Sequence, residues 1–496
     1  MAGQRYWQVM PLGPTGYGDS PYASHSAFAG NPLLISLSWL AGDGLLDEAE
    51  LSRHPGFVDH EVRYGTVIPF KYASLRTAFD RFRRGAASGQ RQALKAFQRE
   101  ETHWLDDFAL FMALKDHFGG RSWVDWEAPI RLRETAAVAE WTERLNDEVR
   151  FQKFVQFQFR RQWTELKRHA NERHIQIIGD IPIFVAHDSA DVWAHREIFR
   201  LDEEGRPAVM SGVPPDLFTD DGQLWGNPMF DWQQLAGTGY AWWIDRVRSL
   251  MATMDVIRID HFRGFAGAWT VPAGAPTAAT GRWERGPGRA VFDAIVNALG
   301  QVPIIVEDLG LITADVNALR EDLGFPGMKV LQFAFDDAPD NVYLPHLYEH
   351  NCVVYTGTHD NQTTVGWFQG LDERTRRQVQ TYLGRDGSDI AWDFIRLALS
   401  SVADLAVISL QDVMRLGDEA RMNMPGRPMG NWGWRFQPHQ LHHGVAAGLG
   451  ELTAAYGRRA RPERNKKPDP FDYTAEGTEH LLWSQDAERE TSGRQN

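Results

Sequence analysis

The sequence predicts an α/β fold built on a parallel sheet, because short apolar runs alternate with stretches of helical pattern. Seven runs are rich in apolar residues, and near-continuous Val and Ile are typical of strands buried on both faces. Helical patterns lie between most of them, at residues 151–170, 313–323 and 391–402, which favours repeated strand–helix–strand units. A chain of 496 residues could hold about three domains, one enlarged β/α barrel, or a barrel with insertions. The predicted strands are residues 6–12, 175–185, 256–260, 302–307, 328–335, 352–357 and 405–410.

The regions between and after these runs predict two insertions and a tail. Helix-friendly apolar segments at residues 104–118 and 136–149 predict a largely helical insertion over about residues 40–172. Residues 206–232 are polar, rich in Pro and too long for a plain connection, which predicts a functional loop over a cleft. The main domain is therefore expected to span residues 1–456. Residues 457–496 are charged and poor in apolar residues, so a disordered tail is expected there.

The composition disfavours several kinds of partner. The net charge of −14, from 52 basic and 66 acidic residues, disfavours nucleic acid because an acidic surface repels phosphates. The sequence has no apolar run of about 18 residues and no signal-peptide pattern, so we expect no membrane association. Cys352 is the only cysteine, which excludes an internal disulfide and fits a cytoplasmic location.

Aromatic residues are abundant, with 19 Trp, 27 Phe and 12 Tyr. Most are expected to pack in the core. An excess of Trp is also typical of a sugar-binding cleft, because sugar rings lie flat on aromatic faces. Composition alone leaves both interpretations open.

Charged side chains end three of the predicted strands. Arg258 and Asp260 lie two residues apart in the third run, so they share one face of that strand. The fourth run ends in Glu307 followed by Asp308, and the sixth run is followed by a His-Asp-Asn sequence that contains Asp360. In parallel α/β folds the reactive groups stand at the carboxyl ends of the strands. We therefore expect these carboxylates to meet in one site.

Two chemistries use such a set of carboxylates, namely divalent metal binding and glycoside cleavage by an acid and a nucleophile. A single Asp at a strand end could also simply cap the next helix. Arg258 at the centre of the set, His359 beside Asp360 and the many Trp residues favour glycoside chemistry without a metal or other cofactor. A neighbouring Arg would hold the carboxylate of Asp260 in its ionised form.

Eight segments of the chain resemble the amylomaltases, the 4-alpha-glucanotransferases of glycoside hydrolase family 77. Among them are RIDHFRG at residues 258–264, EDLG at 307–310 and TGTHDNQT at 356–363. The others are residues 8–34, 178–194, 212–232, 325–335 and 421–434, so the resemblance covers roughly residues 3–456. It implies a (β/α)8 barrel with helical insertions. It also implies transfer of a segment of an α-1,4-glucan to another glucan or to glucose, with maltodextrins, amylose or glycogen as donors and acceptors.

The same resemblance implies a role for each residue at the strand ends. Asp260 is expected to be the nucleophile that forms a covalent glycosyl-enzyme. Glu307 is expected to protonate the leaving glucan and then to deprotonate the acceptor. Asp360 and His359 are expected to hold sugar hydroxyls, and Arg258 to keep Asp260 ionised.

Further residues are expected to bind the substrate by resemblance. Tyr22 matches a tyrosine that stacks near the scissile bond, and the segment of residues 206–232 matches a loop over the cleft. Such loops could exclude water and so favour transfer over hydrolysis. Core packing is the alternative for each aromatic ring. The expected substrate-binding residues are Tyr22, Asp216, Gln223, Trp225, His261, Asp308, Asn431 and Trp432.

One departure from the family pattern concerns the start of the chain. In the family, a barrel strand that ends in a Pro-Thr-Ser-Leu-Pro type loop precedes the segment that here begins at Ala2. We therefore expect the first barrel strand to be missing from this chain, and a protein made from Met1 to be poorly soluble or inactive. Two other functions remain open, namely an α-glucan hydrolase with the same three carboxylates and an inactive glucan-binding protein.

Overall fold

The apolar runs fold into strands in a computed structural model, which describes residues 2–215, 220–336 and 338–459. The strands are β1 (Tyr6–Val9), β2 (Gln176–Pro182), β3 (Val209–Val213), β4 (Gln223–Pro228), β5 (Val256–Asp260), β6 (Gly267–Pro272), β7 (Arg282–Arg285), β8 (Ile304–Val306), β9 (Gly327–Val330), β10 (Cys352–Tyr355) and β11 (Leu405–Val407). Each of the seven predicted runs overlaps one of these strands, although the run of residues 328–335 is strand only as far as Val330.

The helices alternate with the strands after a long helical region near the start of the chain. They are α1 (Leu37–Gly42), α2 (Glu48–Leu51), α3 (Tyr64–Arg84), α4 (Gln90–Glu100), α5 (Thr102–His117), α6 (Ala128–Arg131), α7 (Thr135–Arg144), α8 (Asn146–Asn171), α9 (Ala190–Ala194), α10 (Trp232–Gly237), α11 (Ala241–Thr253), α12 (Arg263–Ala266), α13 (Ala290–Leu299), α14 (Ala314–Asp322), α15 (Thr364–Gly370), α16 (Glu373–Leu383), α17 (Ile390–Ser400), α18 (Leu410–Val413) and α19 (His443–Ala455). In the described part of the chain, no helix combines the length and the apolarity needed to cross a bilayer.

The seven strands that the sequence predicts are parallel and form two sheets. One sheet has the order β1-β2-β5-β8, and the other has the order β11-β10-β9. The two sheets adjoin where the backbone N–H of Val306 donates to the carbonyl oxygen of Pro326 at 3.1 Å. Alternate residues of all seven strands share one apolar core, as expected for strands around a common interior. These residues are Tyr6, Ile178, Val256, Ile305, Met328, Val330, Val353, Tyr355, Leu405 and Val407.

Residues 37–171, all of them described, contain helices α1 to α8 and no strand. Helix α8 places an apolar face against β2, because Phe154 and Val155 share a buried cluster with Ile177. The apolar segment at residues 136–149 is not one helix, since α7 ends at Arg144 and α8 begins at Asn146.

A third sheet is antiparallel and has the order β4-β3-β6-β7. Strands β3 and β4 lie within residues 206–232, so the described part of this segment contains two strands where the sequence indicated only a loop. Strands β6 and β7 were not predicted. Strand β4 carries Gln223 and Trp225, two of the residues expected to bind substrate.

Candidate active site

The site begins with a pair of charges on neighbouring parallel strands. Asp180 of β2 lies opposite Arg258 of β5 in the register of the sheet. Both carboxylate oxygens of Asp180 accept a hydrogen bond from Nη1 of Arg258 at 2.6 Å. The same nitrogen donates to Oδ1 of Asp260 at 3.1 Å. Arg258 thus bridges a buried carboxylate and the carboxylate at the end of β5.

Asp260 opens toward a cleft, with 30% of its side chain exposed. Burial of the rest of the group raises its pKa to about 6, against the lowering effect of Arg258. The negative charges of Asp180 and Asp360 raise it further. Asp260 is therefore largely ionised at neutral pH.

Glu307 follows β8 and is bound by backbone groups next to Asp260. The backbone N–H groups of His261 and Leu309 donate to its two carboxylate oxygens at 2.6 and 2.8 Å. Burial and the nearby charge of Asp260 raise the pKa of Glu307 to about 8. Of the two neighbouring carboxyl groups, Glu307 thus retains its proton to the higher pH, which is the arrangement a general acid beside a nucleophile needs.

His261 connects this acid to the antiparallel sheet. Its backbone has a φ of +55°, in the left-handed region that a non-Gly residue rarely adopts, and its N–H is directed at Glu307. Its ring meets the ring of Trp225 at 82° with 4.7 Å between the centroids. Burial lowers the pKa of His261 to about 3, so the ring is neutral.

His359 and Asp360 lie on the loop that follows β10. The ring of Tyr22 stacks on His359 with a centroid distance of 5.0 Å and an interplanar angle of 18°. The Tyr22 hydroxyl donates to Oδ2 of Asp180 at 2.7 Å, which ties the stack to β2. Oδ1 of Asp360 accepts a hydrogen bond from Nδ2 of Asn423 at 2.6 Å and lies 3.4 Å from Nε2 of His359.

A cleft of about 390 Å³ brings most of the predicted site residues together. Arg258 and Glu307 support it through their bonds to Asp260 and His261. Asn431 lines the cleft and also shapes it, since its amide bonds the backbone of Met424 and Arg427. The predicted residues that line the cleft are Tyr22, Gln223, Trp225, Asp260, His261, His359, Asp360, Asn431 and Trp432.

One predicted substrate-binding residue, Asp308, does not line this cleft. Asp308 accepts a hydrogen bond from the backbone N–H of Met328 at 2.6 Å and lies 3.4 Å from Nε of Arg320. Consecutive residues of an extended chain point to opposite sides, so Asp308 faces away from the site that Glu307 faces. The position of Asp308 therefore does not support the expected contact with sugar. Asp216 lies outside the described residues.

Asp180 and Asn423 belong to the site but were missed in the sequence. The one signal for Asp180 is a carboxylate inside the apolar run of β2, which needs a buried partner. Asn423 has no such signal, because nothing in its neighbourhood marks it among the other polar residues. In the described part of the chain, no group of three His, Cys, Asp or Glu side chains could hold a metal ion.

The chain resembles known proteins over most of its length. The glycoside hydrolase 77 family, described as 4-alpha-glucanotransferase, matches residues 1–441. A 4-alpha-glucanotransferase from Synechocystis is 50% identical over 462 residues, which cover 92% of each chain. One from Thermus thermophilus is 49% identical over 468 residues, covering 93% of this chain and 91% of that one.

A solved structure supports the same relationship. The amylomaltase from Streptococcus agalactiae, in complex with acarbose, superposes with a TM-score of 0.90 at 37% identity. The match covers 92% of this chain and 93% of that chain. This likeness confirms the fold class that the sequence predicted.

Proposed function

The chain belongs to glycoside hydrolase family 77, the 4-alpha-glucanotransferases, and on that premise we propose a retaining double displacement carried by Asp260, Glu307 and Asp360. The family acts on α-1,4-glucans in starch and glycogen metabolism. The observation that carries the mechanism is the contact between the Glu307 carboxyl and the backbone N–H of the residue after Asp260. This contact supports the proposal, because the Glu307 carboxyl lies next to Asp260 and has the higher pKa of the two, as a general acid beside a nucleophile requires.

In the first step, a carboxylate oxygen of Asp260 forms a bond to the anomeric carbon of the donor. The glycosidic C–O bond breaks, and the leaving oxygen takes the proton of Glu307. In the second step, the Glu307 carboxylate takes a proton from a hydroxyl of the acceptor glucan. The acceptor oxygen then bonds to the anomeric carbon and releases Asp260, so the configuration is retained.

The other residues of the cleft are proposed to bind and align the two glucans. Asp360 and His359 hold sugar hydroxyls, and their hold strengthens as positive charge develops on the ring. The rings of Tyr22, Trp225 and Trp432 offer faces for stacking. The S. agalactiae amylomaltase was solved with acarbose, which supports glucan binding by this chain. We propose maltodextrins, amylose and glycogen as donors, and these glucans or glucose as acceptors.

The arrangement of the chain follows the same proposal. Residues 1–456 act as one glycosidase-type domain, in which about residues 40–172 and 206–232 are insertions around the cleft. Residues 460–496 lie outside the described residues, so the charged tail stays a prediction. A cytoplasmic location likewise stays a prediction.

The test is to separate the two steps with Glu307→Gln and an activated aryl maltoside. This donor needs little acid assistance, so the glycosyl-enzyme should form and then persist because no base activates the acceptor. Mass spectrometry of a digest should find the maltosyl group on the peptide that contains Asp260. Added azide should release maltosyl azide with retained configuration.

Asp308→Asn is the matched control, because it removes the adjacent carboxylate that faces away from the cleft. It should keep the acid and turn over maltotriose without accumulating the intermediate. Asp260→Asn should form no glycosyl-enzyme. A label on any other residue, or full disproportionation by Asp260→Asn, would refute the proposed mechanism.

A further inference from the structure

One buried carboxylate holds both ends of the loop that carries His359 and Asp360. Asp412, in α18 just after β11, accepts a hydrogen bond from the hydroxyl of Thr356 at 2.6 Å, where the loop begins. Where the loop ends, it accepts the hydroxyl and the backbone N–H of Thr364, both at 2.9 Å. A single side chain therefore closes the base of this loop.

Asp412 and its two threonine partners are buried, so the stability of this cluster depends on its hydrogen bonds. Asp412 is 1% exposed, and Thr356 and Thr364 are fully buried. Within the described residues, no Lys, Arg or His forms an ion pair with Asp412. A buried carboxylate without a cation destabilises a protein unless hydrogen bonds satisfy its oxygens. Here the three bonds that satisfy it all go to the two ends of the loop.

The chain that follows Asp412 continues to support the same loop toward its tip. Asp418 accepts hydrogen bonds from Nε2 of Gln362 at 2.5 Å and from the next backbone N–H at 3.3 Å. Arg421 donates to the carbonyl oxygen of Asp360 at 2.8 Å, and Asn423 donates to its carboxylate. The support therefore runs from the buried base of the loop to the carboxylate in the cleft.

We infer that Asp412 is a positioning residue for glucan transfer, which fixes the loop so that His359 and Asp360 meet the transition state. The inference rests on the role proposed above for Asp360. A displacement of about 1 Å in such a group costs on the order of 10²-fold in rate. Because Asp360 is proposed to act mainly in the transition state, loss of Asp412 lowers kcat more than it raises KM.

The test compares three variants in the disproportionation of maltotriose. Asp412→Ala should lower kcat on the order of 10–100-fold with KM changed less than about threefold. Asp412→Asn should recover most of kcat, because its oxygen still accepts the N–H of Thr364 and the threonine hydroxyls can rotate to accept from its amide. Asp393→Ala is the control, since Asp393 is also buried but pairs with Arg385 and forms no bond to either end of the loop. Its kcat should stay within about twofold of the parent.

A double-mutant cycle distinguishes positioning from general loss of structure. In an Asp360→Asn background, with an aryl maltoside to keep turnover measurable, adding Asp412→Ala should cost far less than it does alone. Full additivity, or an unchanged kcat for Asp412→Ala, would overturn the inference. If Asp360→Asn keeps parent activity, the failure lies with the proposed function instead.

If Asp412→Ala does not fold, two smaller substitutions test the same inference. Thr356→Val and Thr364→Val each remove one hydroxyl that Asp412 accepts, and each keeps the shape of the side chain. Both should lower kcat with little change in KM if the loop is positioned from its base. Parent kinetics in both variants would contradict the inference.

Discussion

Asp180 and Arg258 are register partners on two parallel strands, and their side chains are joined by hydrogen bonds of 2.6 Å in the buried floor of the site. The pair also connects β5 to Tyr22 in the cleft, because Asp180 accepts a hydrogen bond from the Tyr22 hydroxyl. Arg258 in turn contacts Asp260. Asp260, the proposed nucleophile, is therefore connected through Arg258 to a carboxylate on a different strand.

Replacing Asp180 should change both stability and the acid limb of activity. Asp180→Ala leaves the buried positive charge of Arg258 without its carboxylate partner on β2. The free energy of unfolding should therefore fall by about 3–5 kcal/mol. Asp180→Asn keeps the shape but removes a negative charge that raises the pKa of Asp260. The acid limb of kcat/KM should then move to lower pH.

Asp191→Asn is the control for this experiment. Asp191 is also buried, but its carboxylate accepts the backbone N–H of Ala27 and does not contact Arg258. It should lower the melting temperature without moving the acid limb. Equal movement of the limb in both variants would show that Asp180 has no specific effect on Asp260.

The pH dependence of kcat/KM should be bell-shaped in the parent enzyme. Catalysis needs Asp260 ionised, so activity is lost as pH falls through about 6. It also needs Glu307 protonated, so activity is lost as pH rises through about 8. The alkaline limb should disappear for Glu307→Gln with an aryl maltoside. An alkaline limb that persists in this variant would assign it to another group.

The same pKa shift predicts that the acid destabilises the fold at neutral pH. The pKa of Glu307 rises from an ordinary 4.5 to about 8 in the folded protein, so ionisation favours the unfolded chain. The resulting loss of stability grows as pH rises from 4.5 and is complete above about 8. Glu307→Gln should therefore melt at a higher temperature than the parent at pH 8 and at nearly the same temperature at pH 4. Glu373→Gln, at an exposed position, is the control for removing a carboxylate as such. A difference in melting temperature between Glu307→Gln and the parent that does not change with pH would contradict the raised pKa of Glu307.

The separation of the two carboxyl groups should identify the stereochemistry. A retaining mechanism places the carboxyls of Asp260 and Glu307 about 5–5.5 Å apart, because no water has to fit between them and the sugar. A crystal structure of the unliganded enzyme measures this distance directly. A separation of about 9 Å in well-ordered side chains would indicate inversion instead.

The sequence predicted the parallel strands well because strands that are buried on both faces are short, nearly continuous apolar runs. In Val256–Asp260 the buried side chains are Val256, Ile257 and Ile259, and Arg258 is the one buried exception. Strand topology then forces the residues at their carboxyl ends into one site. Strands such as Arg282–Arg285 were missed, since they are short and mostly exposed and carry no comparable pattern.

What the sequence could not supply is contact between distant segments. Asp180 and Arg258 lie 78 positions apart, and only the pairing of β2 with β5 makes them neighbours. Asp308 is another example, because the resemblance implied a contact with substrate, whereas alternation along the extended chain turns its side chain away from the side that Glu307 faces. Its carboxylate instead binds the start of β9.

The balance between transfer and hydrolysis should depend on Trp225. This ring lines the cleft, is 38% exposed and packs against His261, whose N–H binds the acid Glu307. Trp225→Ala removes a stacking face for the acceptor and opens the glycosyl-enzyme to water. With maltotriose as donor, new reducing ends formed by hydrolysis should therefore increase relative to longer maltodextrins formed by transfer.

Trp39→Ala is the matched control for Trp225→Ala, because Trp39 is 43% exposed on α1 and does not line the cleft. An unchanged ratio in Trp225→Ala would mean that this ring only packs, and a parent enzyme that yields only shorter products would be a hydrolase.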